Sequence, residues 1–241
     1  MLGRFLEFSL VTPDIRASLD FYVRLGFSQA DVGEAWPHPY AVVTDGRLCL
    51  GLHQQPTFVP STTFVKSGLL KQLDHLERLG VKFEFRRLAN DTFNEIGWLD
   101  PSGHLIRLVE ARTFSPARRS SDTSVCGYFL EMALPTPELS MAKAHWERFG
   151  FVAMDESDAV LPHVSCTSDT IDIGLYEPAH VREPTLLFEA DDFKGTMARL
   201  DALGIARDRR VPPPLQGKAA LLRAPEGTSI LISGVAGPDP L

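Results

Sequence analysis

Residues 7–27 read EFSLVTPDIRASLDFYVRLGF, and residues 131–151 read EMALPTPELSMAKAHWERFGF. Each stretch opens on a glutamate, continues as a short strand-like run, passes a Pro-Asp or Pro-Glu pair and closes on a glycine between bulky apolar residues. In the first, Ile15, Leu19, Tyr22 and Leu25 recur at helical spacing, and Gly26 stands where a left-handed C-terminal residue favours glycine. The pattern predicts a strand followed by an amphipathic helix. The two stretches lie 124 residues apart, and the same offset relates Gly26 to Gly150, Phe64 to Phe188, Gly80 to Gly204 and Gly103 to Gly227. A slip of one residue occurs near the equivalent Gly51 and Gly174. Landmarks that keep one spacing over so much chain identify an internal duplication.

Each copy divides again. In the first, YAVVTDGRLCLGLH predicts two strands joined across Asp45-Gly46, a hairpin turn pair. After QQPTFVP the order restarts, with STTFVK as a strand, LLKQLDHLERLG as an amphipathic helix ending at Gly80, and VKFEFRRL, EIGWLD and HLIRLVE as strands. The unit is βαβββ, and four of them indicate an α+β fold rather than a doubly wound parallel sheet. The second copy is less regular, since VPPPLQ at 211–216 reads as a Pro-rich loop. The expected organisation is a first domain at 1–112, a Ser-, Arg- and Thr-rich linker at 113–125, a second domain at 126–234 and a tail at 235–241.

Composition excludes several classes. The chain has 241 residues, 44% hydrophobic and 23% charged, ordinary for a globular protein. A net charge of −7 with no basic stripe argues against nucleic acid or an anionic membrane as partner. Cys49, Cys126 and Cys166 are widely spaced and form no CxxC pattern, which fits free thiols in a reducing compartment. The start, MLGRFLEFSLV, is too short and interrupted for a signal peptide, and no apolar run reaches membrane-spanning length, so the expected location is cytoplasmic. No dinucleotide, P-loop, nucleophile-elbow or zincin motif is present.

The four units, the stretches headed by Glu7 and Glu131, and the late turns DPSGHLIRLVE and APEGTSILIS make the chain resemble the vicinal oxygen chelate superfamily. That superfamily includes glyoxalase I, bleomycin-binding resistance proteins, fosfomycin resistance enzymes and extradiol dioxygenases. The resemblance implies two copies of a glyoxalase/bleomycin-resistance-like open barrel, each built from two modules, with a ligand in the cavity and often a divalent metal. It places the metal ligands, His, Gln or Glu, at the start of each module's first strand and in its last strand. Here those positions are Glu7 and Gly51, Ser61 and Arg107, Glu131 and Gly174, and Thr185 and Leu231. A divalent site needs about three protein donors. Glycine and leucine offer none and arginine repels a cation, so the expectation is no metal and no cofactor. A two-residue shift in register would bring His53 to the ligand face, and that alternative stays open.

The resemblance turns Arg107 inward. Its expected partner is Glu7 if the first and second modules pair in line, or Glu131 if the second and third pair. The contact is either a structural ion pair in a vacated metal position or a clamp for a ligand's carboxylate or phosphate. Trp36, His38 and Tyr40 precede a strand that borders the cavity in this family. His53 and Tyr176 each lie two residues past Gly51 and Gly174, and Trp98 belongs to the core or to a cavity wall. The expected ligand-binding set is therefore Arg107, Tyr40, His53, Trp98 and Tyr176. Two function classes follow: a metal-free protein, monomer or homodimer, that binds an aromatic or anionic small molecule, or a glyoxalase- or dioxygenase-type enzyme (lyase, isomerase or ring-cleaving oxygenase). The enzyme would use Glu7 or Glu131 as general base in a non-standard or metal-independent site.

Overall fold

The computed structural model describes residues 2–32, 36–89, 94–110 and 124–234. The expected tail at 235–241, and the expected linker apart from Ser124 and Val125, lie outside the described residues. The first half runs β1 (Arg4–Val11), α1 (Ile15–Arg24), β2 (Ser28–Ala30), β3 (Tyr40–Thr44), β4 (Cys49–His53), β5 (Ser61–Lys66), α2 (Leu73–Arg78), β6 (Phe83–Arg87), β7 (Glu95–Leu99) and β8 (Leu105–Glu110). The second half repeats it with β9 (Tyr128–Pro135), α3 (Leu139–Arg148), β10 (Val152–Glu156), β11 (His163–Thr167), β12 (Asp172–Tyr176), β13 (Thr185–Ala190), α4 (Phe193–Ala202), β14 (Arg207–Asp208), β15 (Ala219–Arg223) and β16 (Ser229–Gly234).

Each half is one eight-stranded sheet, in the orders β2-β3-β4-β1-β5-β8-β7-β6 and β10-β11-β12-β9-β13-β16-β15-β14. Within a module the first and last strands pair in parallel, β1 with β4 and β5 with β8. The two modules meet at an antiparallel seam, β1 with β5 and β9 with β13. The modules therefore pair in line, first with second and third with fourth.

Local chemistry explains most element ends. Asp14 caps α1 by accepting from the backbone N–H groups of Arg16 and Ala17. Gly26 and Gly150 end α1 and α3 with φ of 88° and 92°, where a side chain would be strained. Three expectations change. The turn between β3 and β4 takes four residues rather than two, because Asp45 Oδ1 accepts from Arg47 N and Leu48 N at 2.8 and 2.9 Å. The second module's helix is shorter than its apolar period suggests, since left-handed Gly68 leads into a tight 3-10 turn at Leu69–Gln72. A short strand, β2, lines the sheet edge after Gly26. The Pro-rich segment after β14 forms only a 3-10 turn at Pro213–Leu215.

Strand alternation gives each sheet two faces. One faces the helices and the other half, and there the two halves share a core. Phe8 meets Phe129 at a ring-centroid distance of 6.3 Å, Phe27 meets Phe188 at 6.3 Å, and Trp98 meets Phe149 at 5.6 Å. Buried Tyr22 and Ser18 of α1 donate to the two carboxylate oxygens of Glu226 at 2.6 and 2.7 Å. A core with rings from both halves should unfold as one unit. Trp98→Ala should cost about 3–5 kcal/mol and lower a single calorimetric transition. Two separated transitions, with only one shifted, would contradict the shared core.

Candidate functional site

The opposite face of each sheet forms a cup. In the first half Glu7 lies at its centre, 1% exposed. Burying a carboxylate is costly unless its oxygens find donors. Here His53 Nε2 lies 3.0 Å from Oε1, Ser9 Oγ donates to the same oxygen at 2.7 Å, and the Tyr40 hydroxyl donates to Oε2. Across the strand pair Gly51 faces this cluster, and a Cβ there would overlap the Glu7 carboxylate. Burial and the adjacent carboxylate both push the Tyr40 hydroxyl well above its ordinary range, so it stays a donor.

The second half repeats the cluster with two residues exchanged. Glu131 accepts from the Tyr176 hydroxyl at 2.5 Å, and His163 Nε2 stands 3.6 Å away. In the first half the tyrosine begins β3 and the histidine ends β4, directly paired in register. In the second the histidine begins β11 and the tyrosine ends β12, paired in the same way. Each glutamate keeps one phenol and one imidazole, from opposite strands. Gly174 faces Glu131 as Gly51 faces Glu7. Burial raises the Glu131 carboxyl above its ordinary range, and the Tyr176 hydrogen bond works against that. Tyr176 also stacks on His163, with ring centroids 4.4 Å apart and planes 9° from parallel.

Arg107 does turn into the first cup and is 3% exposed, but its partner is neither expected glutamate. It donates through Nη1 to Glu95 Oε2 at 2.5 Å and through Nε to Ser61 Oγ at 3.3 Å. Register gives the reason. Glu7 pairs with Thr63, and Thr63 pairs with Arg107, so two strand spacings, roughly 9–10 Å, separate Glu7 from Arg107. Glu95 lies on the adjacent strand β7, on the diagonal from Arg107. Exposed Arg87 holds the other Glu95 oxygen. Glu131 belongs to the other sheet. Hydrogen bonds nonetheless connect the two charged clusters through hydroxyls, from Glu7 to Ser9, Thr63 (2.8 Å), Ser61 (3.0 Å) and Arg107. Beyond His53, the chain reaches His38, whose Nε2 is 2.9 Å from His53 Nδ1. Burial, and then the neighbouring His53 and Arg107, lower the His38 imidazole below its ordinary value.

The first cup is filled by its own side chains. Phe58 stacks on His53 at 3.9 Å and 10°, and Trp36 stands edge-on to both. The Arg107 guanidinium carbon sits 4.3 Å from the Phe58 ring centre and 5.0 Å from that of Phe85. Phe85 occupies the space that a side chain at Gly97 would need. Trp98 does not belong to the cup. It follows Gly97 on β7, so alternation turns it to the core face against Phe83 and Phe149. The equivalents of Ser9, Thr63, Glu95, Gly97 and Arg107 in the second cup are Ala133, Leu187, Ala219, Leu221 and Leu231, which makes its floor apolar. Over Leu221 and Leu231 lies an open groove of about 360 Å³, rimmed by Arg182, Arg209, Arg210 and Arg223.

Sequence reasoning missed Glu95, Arg87, Phe58 and Phe85. Only His163 carried a usable signal, since it stands 123 residues after Tyr40, the offset that relates Gly51 to Gly174. At the positions where the resemblance would put metal ligands, the retained carboxylates are already committed to Tyr, His and Ser donors and crowded by glycine backbone. Among the described residues no group of three His, Cys, Asp or Glu is placed to hold a metal ion. These residues do not fit a divalent metal. No described helix is long and apolar enough to cross a membrane.

No family model matches the sequence, and no curated protein does. Solved structures do match. A catechol 2,3-dioxygenase aligns with 13% identity and a TM-score of 0.60, over 99% of this chain and 94% of its own. Homoprotocatechuate 2,3-dioxygenase from Arthrobacter globiformis aligns with 18% identity and a TM-score of 0.64, over 98% and 82%. The enzyme of that name from Brevibacterium fuscum aligns with 17% identity and a TM-score of 0.63, over 98% and 74%. The chain thus shares its duplicated fold with these 2,3-dioxygenases.

Two mutational outcomes follow from the clusters. Arg107→Leu should cost about 3–5 kcal/mol, because it strands a buried Glu95 with one exposed partner. Adding Glu95→Leu should recover part of that loss in chemical denaturation, and an additive double mutant would deny the pairing. Gly51→Ala should cost about 1–3 kcal/mol through overpacking. That cost should shrink in a Glu7→Ala background if the carboxylate is what the methyl meets.

Proposed function

We propose that the chain is a metal-free small-molecule-binding protein, which takes an aromatic or anionic ligand into a cup of the vicinal oxygen chelate fold. The observation that carries this reading is the commitment of both retained carboxylates: Glu7 to Tyr40, His53 and Ser9, and Glu131 to Tyr176 and His163. Glu7 sits in a cross-strand cluster of three polar partners, and Glu131 in a looser one, with one hydrogen bond from Tyr176 and an imidazole 3.6 Å away. Among the described residues the second cup holds an open groove, with leucines on its floor and polar groups at its rim, the usual make-up of a small-molecule site. The enzyme alternative uses Glu7 or Glu131 as base, and neither lines the groove; Glu183, which does, is paired with Arg223. On this reading the first cup, packed with its own rings, supports the second, and residues 1–112 and 126–234 act as two domains on one core.

The reading is tested by thermal-shift screening of aromatic and aliphatic acids and neutral amides. At a hundredfold excess over Kd a bound ligand adds about 2.7 kcal/mol, a readable shift. Leu231→Phe, which fills the groove floor, should abolish it. Elemental analysis of protein purified without chelators or metal-affinity media is expected to find no stoichiometric metal. One equivalent of iron, manganese, nickel or zinc, or ring cleavage of a catechol, would replace the binding reading with the enzymatic one.

A further inference from the structure

We infer that the groove of the second cup is an organic-anion site, in which Arg182 and Arg209 hold a carboxylate or phosphate while the ligand's apolar body lies on Leu221 and Leu231. The inference rests on the binding reading above and names the ligand class.

Charge is the first ground. The whole chain carries −7, yet four arginines and a single carboxylate, Glu183, line this groove. Two of the arginines are committed. Arg223 pairs with Glu183 and lies 3.7 Å from Asp208, and Arg210 pairs with Asp208 at 2.5 Å. Arg182 and Arg209 are exposed, and among the described residues neither pairs with a carboxylate. Gathering cations around an apolar floor is unfavourable by itself, and the low-dielectric wall focuses their field on whatever enters. The guanidinium fork is suited to the two oxygens of a carboxylate or phosphate.

Comparison of the halves is the second ground. Asp208 pairs with Leu221 as Phe85, the ring that fills the first cup, pairs with Gly97, and Arg209 follows just past the end of β14. In the second cup the position of Gly97 is Leu221, which builds the floor upward, and the position of the plugging ring carries Asp208, which Arg210 holds. Phe58, the other plug, is replaced at the offset of 123 by the smaller Val181, and Arg182 follows it. Both exchanges remove a plugging ring, and the residue that follows each is an exposed arginine of the groove, Arg182 or Arg209. A volume of about 360 Å³ limits the body to one or two fused rings or a short acyl chain.

The test is calorimetric titration of the full chain with 1-naphthoate, phenyl phosphate and 1-naphthamide, the last being a neutral counterpart of the first. Expected are at least tenfold tighter binding of naphthoate than of naphthamide, and competition between naphthoate and phenyl phosphate. The relative affinities of the two anions identify the preferred head group. Arg182→Ala/Arg209→Ala should weaken both anions at least tenfold and leave naphthamide affinity and Tm unchanged. Arg16→Ala, on α1 outside the groove, should change nothing. Equal binding of naphthoate and naphthamide would overturn the anion site and leave the cup-binding reading standing. Anion binding insensitive to the double variant, or to Leu231→Phe, would place the anion elsewhere and overturn it too. If none of the three probes binds at millimolar concentration, the anion site falls, and the cup reading is then judged by the neutral members of the thermal-shift panel.

Discussion

A carboxylate buried in the first strand of each half sets the terms for the residues around it. Glu7 and Glu131 lie out of water, where an unpaired charge is costly, so the surrounding strands must supply donors. They do so with the same groups in both halves, one phenol and one imidazole, placed on neighbouring strands in direct register. The strand next to the glutamate's own, β4 or β12, can carry no side chain where the carboxylate lies, hence Gly51 and Gly174. The exchange of Tyr40 and His53 for His163 and Tyr176 shows which property is constrained. The donor set on the carboxylate is kept, and the strand that supplies each donor is not.

From that shared base the halves diverge by what lies one row further across the sheet. In the first, Thr63, Arg107 and Glu95 extend the polar cluster, and a buried ion pair must stay dry and well packed to be tolerated. Phe58, Phe85 and Trp36 provide that packing and close the cup. In the second, Leu187, Leu221 and Leu231 need no such cover, and the rim can stay open. One buried charge thus explains both why the first cup is full and why the second is available.

The duplication was legible because its landmarks are backbone requirements. Gly26, Gly80, Gly103, Gly150, Gly204 and Gly227 all adopt positive φ, between 62° and 96°, where other residues are strained. A spacing fixed by such glycines survives when side chains drift. The inward direction of Arg107 was legible for a similar reason, since alternation depends only on counting. Its partner was not. Glu95 is twelve residues away in sequence and adjacent only through the pairing of β7 with β8, while Glu7 looked adjacent until β5 was found between them. In-line pairing was illegible too, because both arrangements use identical modules. Phe58 belongs to an irregular segment whose side-chain directions no periodicity reports, and Trp98 was placed ambiguously by a short apolar run that can turn either way.

Likeness to the dioxygenases therefore separates fold from chemistry. The positions where the resemblance implies metal donors carry Glu7 on β1, Gly51 on β4, Ser61 on β5 and Arg107 on β8. A divalent ion beside Glu7 would have to displace a tyrosine and a histidine already bonded to it, with the buried Arg107 guanidinium on the same face. In the second half those positions are Glu131, Gly174, Thr185 and Leu231, of which the glycine and the leucine offer no side-chain lone pair. The two halves thus differ at their last-strand position, cationic at Arg107 in the first and apolar at Leu231 in the second.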